Sequence, residues 1–154
     1  ELLFIFAEAG QRGWLGIAYP AVKQMYLQGV TESVLEWNPE VTEGSDSVVK
    51  FIDILSSEID ADNALETIMT QKWISMFWVG IESWCDYRRT GYPEMPVKSL
   101  AGNDGVLPTR LLYPADEEFR NPVNYEEAVN GWLGGVNNMK TNVWWADHNQ
   151  KRKQ

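Results

Sequence analysis

The stretch Gln71–Pro93, QKWISMFWVGIESWCDYRRTGYP, decides the fold. It carries Trp73, Trp78 and Trp84, two adjacent arginines, and an abrupt Thr-Gly-Tyr-Pro stop. On a helical wheel of about 100° per residue its side chains sort by polarity. Lys72, Ser75, Glu82, Ser83, Asp86 and Arg89 gather on one side; Trp73, Ile74, Phe77, Ile81 and Trp84 gather on the other. Arg88 falls on the apolar side and Arg89 on the polar side. Upstream, Asn63 with Glu66 three residues on has the form of a capping box, which predicts a helix from Ala64. The expectation is one helix from there to about Arg88. Basic residues occupy its last turn, Gly91 stands where a left-handed residue ends a helix, and Pro93 prevents continuation.

A guanidinium on an apolar face needs acceptors, because an unpaired buried charge is costly. Its planar fork suits a carboxylate. Glu8, flanked by Ala7 and Ala9, and Glu117, beyond RLLYP, are the preferred partners of Arg88 in an internal ionic clasp. The alternative use of Arg88 is an anion site for a ligand. Trp73 and Trp84 are expected in the core.

Outward from this stretch the chain is mostly helical. Residues 1 to about 12 predict a helix ending near Gly13. Ile17, Val22, Tyr26, Val30 and Val34 recur at helical spacing, with Pro20 in the first turn, where no amide hydrogen is required. The short Gly-Trp-Leu-Gly link makes these two helices an antiparallel pair. SVVKFIDIL predicts a short helix. Prolines 93, 96, 108, 114 and 122 exclude a long helix from Thr90 to Pro122. Within that span, extended arms around Asn103-Asp104-Gly105 predict a small β-hairpin or loop. Asn124 with Glu127 predicts a further cap, and a helix from Tyr125 to about Trp132.

The chain has 154 residues, 44% hydrophobic and 23% charged, a globular composition. Its net charge of −9 argues against a nucleic-acid backbone as partner, since phosphate binding needs a basic face. The one cysteine, Cys85, excludes an internal disulfide. The longest apolar run, Leu2 to Ala7, is far too short to span a bilayer as a helix. His148 is the only histidine, without metal-ligand spacing around it, and no GxSxG motif occurs. DADN and GNDG hold oxygen ligands, but neither completes a calcium loop with a distal Glu. Among 22 acids, carboxylate pairs arise by chance, so Glu117-Glu118 and Glu126-Glu127 carry no hydrolase argument. The expectation is no catalysis, no cofactor and no metal.

FAEAGQRGW, QKWISMFWVGIESWCDYRRTGYP, RLLYPADEEFRN and VWWADHN occur in this order over nearly the whole chain. Together they resemble the C-terminal part of SusD-like (SusD/RagB) outer-membrane proteins, in the second large subgroup. Trp144-Trp145-Ala146-Asp147 departs from that family's terminal WWD by one inserted alanine. The resemblance implies a mainly α fold of tetratricopeptide-like helix pairs with long loops. It implies that residues 1–154 are the C-terminal part of one larger domain, beginning inside a helix pair. It also implies a non-enzymatic lipoprotein on the outer face of the outer membrane, at the cell surface, which captures an oligosaccharide, or sometimes a peptide, and passes it to a SusC-like TonB-dependent transporter. The lipid anchor would lie outside this chain, for Cys85 sits inside a helix. The resemblance carries over no binding residue, because much of the family's ligand surface lies upstream.

A sugar ring stacks on an exposed indole. Trp37, which ends a helix beside a loop, and Trp78, which borders the polar face of its helix, are the candidates, with ordinary packing as the alternative for both. The competing function is a helical-repeat protein-interaction module, in which tryptophans serve only protein contacts. A weaker third reading is a glycoside hydrolase fragment.

Overall fold

A computed structural model describes residues 1–95 and 105–146. The described residues form seven α-helices and one 3-10 turn, with no strand among them. The chain divides into two compact units, Glu1–Pro93 and Glu94–Gln154.

The first unit is built on α1 (Leu2–Gln11) and α2 (Tyr19–Trp37). Phe4, Ala7 and Glu8 share the buried face of α1, and Val22, Tyr26 and Val30 that of α2, as i, i+3/i+4 spacing requires. Pro20 lies in the first turn of α2. Gly10 is the point of closest approach: a Cβ there would stand 2.7 Å from Ile17 Cδ1 and 2.8 Å from Val22 Cγ2. At the other end Phe4 lies against Gly29. The end of α1 therefore meets the start of α2, and the two helices run antiparallel.

Helix α3 (Asp46–Glu58) adds Leu55 to this core, and Lys23 ties it down by donating to the Ser56 carbonyl at 2.6 Å. Helix α4 (Ala64–Ser75) contributes Ala64 and Ile68. It starts at the expected residue but without the expected capping box. The Asn63 carboxamide turns back instead, accepting from the Asp60 amide at 3.0 Å and donating to the Glu58 carbonyl at 2.9 Å. The Asp60 carboxylate accepts from the amides of Asp62 and Asn63. Within DADN the Asp60 carboxylate thus serves a turn.

The long helix expected through Arg88 is two helices. α4 stops at Ser75, and α5 runs from Gly80 to Thr90. Between them the Met76 amide bonds back to Lys72 and Trp73, and the Val79 amide to Met76, which closes a corner. Gly91, at φ +84°, ends α5 with its amide on the Tyr87 carbonyl at 2.8 Å. Any residue with a Cβ would be strained at that φ.

In the second unit the tip of the expected hairpin, Asn103-Asp104, lies outside the described residues. Its second arm finds a different neighbour. Thr109 donates its amide to the Met139 carbonyl at 2.8 Å, and its hydroxyl reaches the Met139 and Thr141 carbonyls. Helix α6 (Ala115–Arg120), not expected from the sequence, follows Pro114 with three acids in its first turn, where they complement the helix dipole. Helix α7 (Pro122–Trp132) begins before the predicted cap at Asn124, using Pro122 in its first turn.

Candidate functional site

The aromatic stretch buries the face expected to be polar and exposes much of the face expected to be apolar. Lys72, only 2% exposed, Ser83 and Asp86 are buried. Trp73, Ile74 and Phe77 are exposed, and Ile81 is 80% exposed. What turns the polar side inward is a chain of ion pairs. Lys72 Nζ on α4 lies 2.8 Å from Asp86 Oδ2 on α5. Asp86 Oδ1 accepts from Arg89 Nε at 2.8 Å. Arg89 then grips Glu8 with both terminal nitrogens, Nη2 reaching Oε2 at 2.6 Å and Nη1 bonding Oε1. Arg12 Nε adds a bond to Glu8 Oε1 at 2.7 Å. Burial pushes the Glu8 carboxyl up, but the bonds and charges of Arg89 and Arg12 outweigh it and hold the acid below its ordinary 4.5.

Glu8 is thus an anchor for the aromatic stretch, but the arginine that holds it is Arg89. Arg88 stands over the Trp84 ring, 3.7 Å from its centroid, with Nη2 3.3 Å from Cys85 Sγ. The wheel grouping of Lys72, Ser83, Asp86 and Arg89 holds, but that face turns inward, so Arg89 and not Arg88 reaches Glu8. Glu117 belongs to the second unit, where its Oε2 accepts from Asn121 at 3.3 Å; among the described residues it pairs with no arginine. Lys72, Asp86 and Arg12 were not foreseen as members. For Lys72 and Asp86 the one signal is the wheel face they share with Arg89.

Outside this network the first unit carries a cleft of about 400 Å³. Val30, Ser33, Val34, Trp37 and Asn38 reach it from the C-terminal half of α2. Phe51 comes from α3, Gln71 and Ile74 from α4, and Phe77 from the corner. Asn38 ends α2 by directing both its amide and its side-chain Nδ2 onto the Val34 carbonyl, each at 3.0 Å. That cap holds Trp37 at the helix end, 48% exposed. Trp78 is 77% exposed and does not line the cleft; it meets Phe77 edge-on at 5.1 Å between centroids. Aromatic faces beside a hydroxyl and two carboxamides can pack sugar C–H groups and orient sugar hydroxyls. Phe51 and Phe77 carry no binding signal in the sequence: Phe77 falls on the apolar wheel face, and Phe51 lies inside a short predicted helix. Among the described residues no group of three His, Cys, Asp or Glu side chains could hold a metal ion.

The family SusD-like_2, described as "Starch-binding associating with outer membrane", matches residues 1–114. The chain belongs to the SusD-like family. Solved structures of SusD-like proteins share its fold. A SusD homologue from Bacteroides fragilis aligns with a TM-score of 0.73 at 24% identity, over 94% of this chain and 34% of that one. A chitin-binding protein aligns with a TM-score of 0.67 at 34% identity, over 94% of this chain and 32% of that one. A SusD homologue from Bacteroides uniformis aligns with a TM-score of 0.66 at 30% identity, over 94% of this chain and 35% of that one. The chain therefore spans about a third of the length of these three structures. No curated protein matches it. No described helix is long and apolar enough to cross a membrane.

Proposed function

We propose that this chain is the C-terminal part of a larger SusD-like domain that captures oligosaccharides at the outer-membrane surface and passes them to a SusC-like TonB-dependent transporter, without catalysis or cofactor. The observation that carries the reading is the family match across residues 1–114. The aromatic cleft at Trp37 supports it, as does the chitin-binding name of one structural relative. The exposed Trp73, Ile74, Phe77 and Ile81 suit a scaffold in which α1–α2 is one of several stacked, tetratricopeptide-like helix pairs. Attachment to the membrane would come from a lipid anchor outside this chain.

Calorimetric titration of the full-length protein against starch- and chitin-derived oligosaccharides tests the proposal. One of these glycans is expected to bind, and Trp37→Ala to weaken it about tenfold, the scale of one lost aromatic anchor. Trp78→Ala, outside the cleft, is expected to weaken it less. Binding of no glycan, together with a stable protein complex through the aromatic faces, would favour the interaction-module reading. New reducing ends released at enzyme-like rates would overturn the non-catalytic part.

A further inference from the structure

The second unit holds a groove of about 750 Å³, within the usual range of small-ligand pockets. Its most telling residue is Arg110, which lines the groove yet is only 7% exposed. Arg110 Nη1 donates to Asn137 Oδ1 at 3.0 Å and to the Asn138 carbonyl at 2.7 Å, and the guanidinium stands 4.8 Å from the Tyr113 ring centroid. These partners are neutral. No carboxylate pairs with Arg110 among the described residues. The contrast with Lys72 and Arg89, each beside an acid, is sharp. A buried cation without a counter-charge favours an anion that can enter. Its Nε and Nη2, which share one edge of the guanidinium, are the pair that takes a carboxylate bidentately.

The rest of the groove says what carries the anion. Trp132, at the end of α7, and Trp144, at the start of the 3-10 turn, line it and are largely exposed. Thr141 and Asn142 also line it. The segment is held in place: Asn138 Oδ1 accepts from the amides of Lys140 and Thr141, and Asn137 bonds both the amide and the carbonyl of Tyr113. Two exposed indoles, hydroxyl and carboxamide groups, and one uncompensated guanidinium make a surface for a pyranose ring bearing a carboxylate. We propose that this groove is a separate binding site for a uronic-acid residue of a glycan, with Arg110 taking the carboxylate and Trp132 and Trp144 packing on the ring. A general attraction to polyanions does not explain such a preference, because the chain carries a net charge of −9. The inference shares with the proposed function only the premise that the protein handles glycans.

The test is titration of the full-length protein with oligogalacturonate, oligomannuronate and glucuronic-acid-bearing xylan fragments, each beside its methyl ester. Esterification keeps the ring and removes the charge. At least one uronate is expected to bind about tenfold more tightly than its ester. Arg110→Gln should abolish that preference, and Arg110→Lys should restore part of it. Trp144→Ala should weaken acid and ester alike, and Trp37→Ala neither. The ester comparison and the exposed Trp144 keep the proposal testable if Arg110 variants fold poorly. Uronates that bind no better than their esters, or a preference that survives Arg110→Gln, would overturn this site. If starch- or chitin-derived oligosaccharides still bind through Trp37, the capture reading stands without it.

Discussion

The two faces of the α4–α5 corner reverse the ordinary rule. On the inner face Lys72, Asp86 and Arg89 are locked to one another and to Glu8; on the outer face Trp73, Ile74, Phe77 and Ile81 meet solvent. Apolar area favours burial in proportion to its extent, but it has no direction. Ion pairs with bidentate geometry have direction, and they fix which way a helix faces. The first unit is oriented by its charges, and its apolar surface remains available to other elements.

The pairing of greatest consequence is Lys72 with Asp86, since both are buried. Asp86→Ala leaves an ammonium in the interior without its acid and takes one acceptor from Arg89. Removing one partner of a buried pair costs about 3–5 kcal/mol. Denaturant unfolding of the full-length variant should show a loss on this scale, with the folded fraction low at expression temperature. A loss below about 1 kcal/mol, the surface-pair range, would mean that the inner face is not what orients the corner.

Acid tests the same face at its other end. Glu8 is held below 4.5 by Arg89 and Arg12. A carboxyl whose folded value is depressed contributes stability that is fully present above its unfolded value and lost as pH falls through the folded one. Wild type should therefore lose this increment as pH drops below about 4.5. Glu8→Gln should already be weaker at neutral pH, by about 2–3 kcal/mol for the charge-assisted bonds removed, and should show a shallower acid slope. Parallel acid slopes in the two proteins would detach Glu8 from the network.

Much of the scaffold was legible in the residues. The spacing of Val22, Tyr26 and Val30, with Pro20 before them, marked α2; Gly91 and Pro93 marked the end of α5; an acid between two alanines marked Glu8 as a buried anchor. The break at Met76–Val79 was not. Gly80 is the one local hint, and nothing else there disfavours a continuous helix. Lys72 and Asp86 meet across the corner, a fact that periodicity within one segment does not contain. The same gap explains the cleft: Trp37 stood out at a helix end, whereas Phe51, Ile74 and Phe77 become its neighbours only once three helices are packed. In the second unit Arg110 gave no sequence signal at all, because its partners Asn137 and Asn138 lie far along the chain.

The smallest expected effect belongs to Arg88, and it separates the neighbours most cleanly. Arg89 joins α5 to α1 through Glu8, 81 positions away in sequence. The contacts seen for Arg88 at Trp84 and Cys85 lie within one turn of its own helix. A guanidinium over an indole at a half-buried site is worth about 1 kcal/mol. Arg88→Ala loses that contact, and Arg89→Ala should cost distinctly more, because it strands Glu8 and Asp86 in part. Unfolding of both variants side by side in the full-length protein measures the difference. Equal costs, or a larger one for Arg88, would place the clasp on the wrong arginine.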